Sequence, residues 1–415
     1  MADFIQNGLV TTLHDLGSID GDRLDALLQR ATRSAPIGLV LPVTAADMRN
    51  KPFADIVDEL TGVEYLQRIV VVLDAAEEEE AYRQAKLLVA PLGERAKVIW
   101  NNGPRMQALY DSLEEAGLKA GTPGKGQAVW MAIGYLLGEP SLKAFTVHDC
   151  DIVDYRREML ARLCLPMCHP SLDFEFCKAY YARVSIRMHG RVMRLLVTPL
   201  LRALISSRGY DHFLVYLNSF RYPLSGEFGI SSTLARTIRV PGEWGFEIGT
   251  LAEVFRNTSI KRVAQVDLCQ NYEHKHKSLS LEDPSQGLIK MATDILTTLF
   301  RTLASMGMVF HAGDFLTLRS SYLLEARDSI RQYRADALMN GLRFDQHEEE
   351  RTVEAFAQRI AAAGRRFHDD SSGGDALPNW SQVLSILPEF PDRLRDTVEA
   401  DAEDLVRRLS TGTYA

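Results

Sequence analysis

The stretch Ala144-Phe145-Thr146-Val147-His148-Asp149-Cys150-Asp151 runs from apolar and β-branched residues straight into two carboxylates. It predicts a short buried strand, Ala144–Val147, closed by His148-Asp149. Side chains two apart on extended backbone share a face, so Asp149 and Asp151 point to one spot while Cys150 points away. Two carboxylates past a strand end suit a hard divalent cation that also holds a diphosphate. On its own an Asp-x-Asp is more often a solvated turn, so its weight comes from the chain around it.

Upstream, the same rhythm repeats. Ile37–Leu41 ends at Pro42, Ile69-Val70-Val71-Val72-Leu73 is closed by Asp74, and Ala96–Trp100 runs into Asn101. Helical patterns separate these runs: Asp20–Ser34, with Leu24, Leu27 and Leu28 on one face, then Phe53–Leu60, Glu77–Val89, Arg105–Ala116 and Gln127–Leu137. Strands alternating with helices predict an α/β fold whose mostly parallel sheet is covered on both faces. Ligands of such sheets gather beyond the carboxyl ends of the strands, where Pro42, Asp74, Asn101 and Asp149 stand.

Composition excludes several classes. The chain has 415 residues, 46% hydrophobic and 25% charged, enough to bury a sizeable core without disulfide staples. Its formal charge of −8, from 47 basic and 55 acidic side chains, excludes a nucleic-acid binder that relies on bulk positive charge. No run approaches the roughly 18–20 apolar residues that span a bilayer; the most apolar, Met193–Ile205, is broken by Arg194, Pro199 and Arg202. Five cysteines, an odd count, and no secretory pattern point to a reduced cytoplasmic protein, with neither nucleic acid nor membrane as partner.

Beyond Asp151 the pattern changes. Asp173–Ser185 reads as a strand, His189-Gly190-Arg191 as a basic stretch, and Met193–Ser206 as a helix bent or restarted at Pro199. Trp244–Phe255 opens another helix, and Arg262–Leu268 is a strand running into Glu273-His274-Lys275-His276-Lys277. From Pro284 the chain is almost wholly helical, interrupted by a polar loop at Asp369–Asp375. Pro123-Gly124-Lys125-Gly126, just before a helix, offers close backbone approach, a helix N-terminus and a cation to an anion, though it is no Walker A loop. One His of the charged segment could complete a metal site begun by Asp149 and Asp151; a solvated loop is the plain alternative. Cys164, Cys168, His169 and Cys177 fit no standard zinc spacing.

Taken in order, Leu41-Pro42, Gly124-Lys125-Gly126, Asp149-Cys150-Asp151, Gly190-Arg191-Val192, Pro199-Leu200-Leu201, Pro223-Leu224-Ser225-Gly226-Glu227, Trp244-Gly245-Phe246-Glu247-Ile248-Gly249, Ala264-Gln265-Val266-Asp267-Leu268 and His274 resemble the glucosyl-3-phosphoglycerate synthase family. These are retaining glycosyltransferases of the GT-A fold, a Rossmann-like nucleotide-diphospho-sugar transferase architecture. The resemblance spans about Ile37 to Leu279. It implies a nucleotide-sugar donor, UDP-glucose in most members, a phosphorylated acceptor, 3-phosphoglycerate, and Mg²⁺ or Mn²⁺. By position, Asp149, Asp151 and His274 would hold metal and diphosphate, Lys125 would contact the donor, and Pro42, Val43 and Thr44 would line the nucleotide pocket. Gly190, Arg191 and His276 would hold the acceptor, with Gly226 beside the substrates and Glu227 and Glu247 orienting sugar and acceptor hydroxyls during same-face attack. Two positions depart: the family's Asn-Glu-Glu is here Ala45-Ala46-Asp47, and its Thr two residues after the acceptor arginine is Met193.

The expected organisation is a glycosyltransferase domain over 1–280, with a nucleotide-sugar half at about 36–151 and an acceptor half at about 152–280. A helical C-terminal region follows over 281–415, and a homodimer is expected. Three alternatives compete: transfer from GDP-mannose or to another small acceptor, a sugar nucleotidyltransferase, and a non-catalytic nucleotide-binding or assembly protein. The nucleotidyltransferase predicts a glycine-rich loop after the first strand, and Val43–Arg49 contains no glycine.

Overall fold

A computed structural model describes residue 6 and residues 8–17, 19–241, 245–274, 287–370 and 376–411. Its centre is an eight-stranded sheet of β1 (Thr11–Leu13), β2 (Ile37–Thr44), β3 (Leu66–Asp74), β4 (Ala96–Trp100), β5 (Ala144–Val147), β7 (Phe176–Tyr180), β8 (Phe228–Ser231) and β10 (Val263–Asp267). Two short pairs flank it: β6 (Ile152–Val153) with β11 (Glu273–His274), and β9 (Val240–Pro241) with β12 (Ala376–Leu377). The sheet order is β1-β10-β7-β8-β5-β2-β3-β4, parallel throughout except for β8, which runs against both β5 and β7.

The strands are apolar on both faces because both faces are covered. Val40, Val70, Val72 and Val147 point into one core; Leu39, Leu41, Ile69, Val71 and Leu73, one residue out of step, point into the other. The chain builds β3 and β4 outward on one side of β2 and then returns to place β5 on the other. That reversal opens a crevice between the carboxyl ends of β2 and β5.

The first strand runs further than the sequence predicts, through Pro42 to Thr44. His148 donates its N–H to the Val40 carbonyl, so Pro42, two residues on, faces the same side just past the end of β5. Its missing N–H therefore costs no ladder bond. Asp173–Ser185 is a strand only over Phe176–Tyr180. The helix expected from Gln127 starts at Lys125, and Gly126–Leu137 is buried on every side. The helix expected from Trp244 covers Phe246–Asn257; Trp244 lies outside the described residues, as do residues 371–375 of the expected polar loop.

Around Pro199 the chain forms wide π-helical turns over Val192–Val197 and then an α-helix over Thr198–Arg208. Pro199 cannot donate to the Leu195 carbonyl four residues back. The Tyr322 hydroxyl, on the Asp314–Met339 helix, supplies that bond at 2.7 Å. The helices after Gly287 share the core of the sheet's first face: Trp130 and Trp380 stack at 4.3 Å, and each indole N–H donates to a backbone carbonyl of the other's segment. Among the described residues no helix is long and apolar enough to cross a membrane.

Candidate active site

A cavity of about 950 Å³ opens over the crevice between β2 and β5. At one end Pro42, Val43 and Thr44 reach it from the tip of β2, and Asp74 from the tip of β3. The Thr44 hydroxyl donates to Asp47 at 2.8 Å and accepts from the Asp47 N–H, which fixes the following turn and brings Asp47 to the cavity. Asn101, also expected near the ligand, lies behind this wall and donates to Asp74 at 3.1 Å.

Asp149, Cys150 and Asp151 all line the cavity, so the middle residue does not turn away entirely as expected, although Cys150 is otherwise buried in the opposite core. Lys125, at the start of its helix, meets Asp149 with Nζ to Oδ1 at 2.5 Å. Burial works against the ammonium charge, but Asp149, Glu247 and Glu227 outweigh it and Lys125 titrates above the ordinary lysine range. Burial and the adjacent Asp149 charge push Asp151 up to about 6. Gly226 lies against this pair: a Cβ there would collide with Asp149 Oδ2 and sit 2.6 Å from Lys125 Nζ, so a side chain at 226 would have to push the ion pair aside.

Two confined carboxylates, the charge of Asp149 raising the proton affinity of Asp151, form a hard-oxygen donor set, which fits a divalent cation. The pairing of β11 with β6 puts the His274 backbone opposite Ile152, one residue past Asp151; the His274 side chain is not among the described parts, and His276 lies outside the described residues. Among the described residues no three His, Cys, Asp or Glu side chains gather as a metal site.

Of the two expected glutamates, the structure brings one to the cavity. Glu247, in the first turn of Phe246–Asn257, lines it; burial raises its pKa while Lys125 and Lys178 hold it back. Glu227 is fully buried behind the wall, where the Tyr181 hydroxyl donates at 2.7 Å and the Tyr272 hydroxyl donates to its other oxygen. The two rings stack at 3.7 Å. Burial and the Asp149 charge push Glu227 up to about 7, with both tyrosines pulling the other way. Glu227 thus stands behind the cavity wall, with both carboxylate oxygens taken by tyrosine hydroxyls.

The other end of the cavity is basic. Gly190, with φ of +73°, turns the loop so that His189, Gly190 and Arg191 all face the cavity beside Met193. Arg191 is paired with Glu348 at 2.6 Å and Glu349 at 3.2 Å, both on the Gln346–Asp369 helix. Buried Arg194 binds Glu349 at 2.9 Å, donates to the His189 carbonyl and lies over the Tyr333 ring at 4.8 Å. Lys290, Asp294, Arg359 and Arg366 line the same cavity from the C-terminal helices. These residues, with Tyr181, Arg183, Tyr222 and the buried Lys178, are not legible as site residues in the sequence. Apart from the Arg-rich composition of 183–194, they carry no local motif.

A doubly wound sheet with paired carboxylates and a lysine at its switch point fits the GT-A glycosyltransferase architecture that the sequence resembles. The chain is 46% identical to the glucosyl-3-phosphoglycerate synthase of Persephonella marina over 404 residues, 97% of this chain and 100% of that protein. It is 38% identical to that of Methanococcoides burtonii over 408 residues, 97% and 98% of the two chains. It belongs to the glucosyl-3-phosphoglycerate synthase family. No protein-family model matches it. Among solved structures, the Mycobacterium tuberculosis glucosyl-3-phosphoglycerate synthase with Mg²⁺ and uridine diphosphate superposes with a TM-score of 0.52 at 21% identity, covering 71% of this chain and 87% of that one. The same enzyme with Mn²⁺, UDP-glucose and phosphoglyceric acid gives 0.52 at 21%, covering 71% and 88%. At that identity the likeness speaks for the fold.

Proposed function

We propose that this chain transfers a glucosyl group from UDP-glucose to 3-phosphoglycerate with retention at the anomeric carbon, aided by Mg²⁺ or Mn²⁺. The observation that carries this reading is one cavity with a carboxylate pair and lysine at one end and a guanidinium cluster at the other. Support for the two substrates comes from the names of the relatives and from the UDP-glucose and phosphoglyceric acid bound in the mycobacterial structure.

Asp149 and Asp151, with His274, would hold the cation, which supplies positive charge to the departing diphosphate. Lys125 adds a fixed positive charge at the same place, and Asp149 keeps it there. Pro42, Val43 and Thr44 would border the uridine. Glu247 faces the cavity where it can accept a hydrogen bond from a sugar hydroxyl, while Glu227 acts as a positioning residue through Tyr181 and Tyr272. Its enclosure favours same-face attack over a glycosyl-enzyme at Glu227. Gly190, Arg191 and His276 would meet the acceptor. The working division keeps a nucleotide-sugar half at about 36–151, an acceptor half at about 152–280 and a helical region beyond.

The test is to incubate the chain with Mg²⁺, 3-phosphoglycerate and either UDP-glucose or GDP-mannose, and to follow the product by mass and by proton coupling at the anomeric carbon. α-Glucosyl-3-phosphoglycerate from UDP-glucose is expected. A mannosyl product would replace the donor, and a β-product would overturn retention.

A further inference from the structure

The basic side chains that face the cavity are not equivalent. Lys125 is paired with Asp149, Arg191 with Glu348 and Glu349, and Lys290 and Arg366 both with Asp294. Arg183 donates to the Tyr222 hydroxyl. Arg359 also lines the cavity, yet it makes no hydrogen bond or ion pair among the described residues, and its Nε is buried without a partner. Folded proteins rarely leave a buried donor in that condition unless something else supplies the acceptor.

Helix geometry explains where Arg359 stands. On the Gln346–Asp369 helix, Glu348, Arg359 and Arg366 are separated by close to whole turns and therefore share one stripe. Glu348 anchors one end of that stripe on Arg191, and Arg366 anchors the other on Asp294 at 3.0 Å. Arg359 lies between the anchors, roughly 16 Å along the axis from Glu348 and roughly 10 Å from Arg366 at ~1.5 Å per residue. Both anchors fix the helix, so the guanidinium is held at the cavity wall by neighbours and not by contacts of its own.

Charge points the same way. Arg191 already faces two carboxylates, so an incoming anion that met Arg191 alone would also meet Glu348 and Glu349. Arg359 carries a positive charge with no carboxylate beside it among the described residues. A guanidinium grips a phosphate or a carboxylate through two parallel N–H bonds, which a single ammonium does not reproduce.

We infer that Arg359, supplied by the C-terminal helical region, is an acceptor-binding residue that grips an anionic oxygen group of the acceptor, its phosphate or its carboxylate. The inference rests on the phosphorylated acceptor proposed above. It makes the Gln346–Asp369 helix a wall of the acceptor site as well as a packing element.

The experiment is calorimetric titration of the full chain, saturated with UDP and Mg²⁺, with 3-phosphoglycerate, glycerol 3-phosphate and glycerate in turn, for the wild type, Arg359→Ala and Arg359→Lys. Arg359→Ala is expected to weaken 3-phosphoglycerate binding roughly 10–100-fold and Arg359→Lys less, with UDP affinity unchanged in both as the check on folding. A selective loss toward glycerol 3-phosphate assigns Arg359 to the phosphate, and one toward glycerate assigns it to the carboxylate. Wild-type affinity for all three ligands in Arg359→Ala, or an equal loss toward UDP, overturns the inference and leaves the proposed reaction standing. A wild type that binds no phosphoglycerate at all overturns both.

Discussion

At the proposed donor end of the cavity the charged groups come from strand tips and a helix start, and Lys125 and Asp149 are 24 residues apart; at the proposed acceptor end Arg194 meets a carboxylate 155 residues further along the chain. The first arrangement is a consequence of the sheet. Once β2 and β5 pair, the turns that follow them converge, and the buried helix that begins at Lys125 delivers its ammonium to Asp149. The second exists only after the C-terminal helices dock. Glu349 is buried between Arg191 and Arg194, and Tyr322 satisfies the carbonyl that Pro199 orphans. A site on sheet and helix ends is rigid by construction, whereas one closed by a remote helix depends on that helix staying in place. Damage to the two ends should therefore look different.

The largest effect belongs to the donor end. Asp151→Asn keeps the shape of the carboxylate but removes a charge, and should lower kcat at least ~100-fold with an unchanged melting curve. Chelation of divalent cations should do the same to the wild type, with recovery on adding Mg²⁺ or Mn²⁺. Steady-state rates and thermal melts measure both, and full activity in chelator would break the assignment of this end.

The next effect is on stability and again concerns the donor strand. His148 is fully buried, neither ring nitrogen has a partner among the described residues, and burial, partly opposed by Asp149, pushes its pKa down to about 4 from 6.5. Between those values the unfolded chain binds a proton that the folded chain refuses. Stability from this residue is whole above about pH 6.5 and drains away as pH falls toward 4, on the order of 3 kcal/mol in all. Urea unfolding at pH 7 and pH 4.5 should show that loss in the wild type and a flatter dependence in His148→Phe. Equal pH slopes would remove His148 from the account.

A smaller change sharpens the contrast at the acceptor end. Tyr322→Phe leaves the Leu195 carbonyl without its donor and should cost about 1–2 kcal/mol in urea unfolding. Because that bond ties a C-terminal helix to the turns following Arg191, acceptor KM should rise modestly while donor KM stays put. A shift in donor KM of the same size would mean the two ends are not separate units.

The sequence made the donor end legible because its parts are local: apolar runs ending in Asp74 or Asp149, and a Gly-Lys-Gly before a helix, each carry their meaning within a few residues. Gly226 and Glu247 were visible as motif positions, though only packing reveals that a Cβ at 226 would meet the Asp149–Lys125 pair and that Glu227 stands behind the wall. The acceptor end was legible only at Gly190 and Arg191. Glu348, Glu349 and Arg359 belong to a helix whose charged residues look like a solvated face, and nothing short of the tertiary fold turns that face inward. Strand lengths erred for a similar reason: whether Pro42 ends a strand depends on which neighbour lies beside it.

The division of the cavity is tested most directly by initial rates with donor and acceptor varied together, for Lys125→Ala and Arg191→Ala. Arg191→Ala should raise acceptor KM roughly tenfold or more, with donor KM nearly unchanged, because a positive charge facing the acceptor and its ties to Glu348 and Glu349 are lost. Lys125→Ala should depress kcat and disturb the donor terms while acceptor KM holds. If Arg191→Ala moved both KM values alike, or neither, the cavity would not be divided into a sheet-built donor end and a helix-roofed acceptor end.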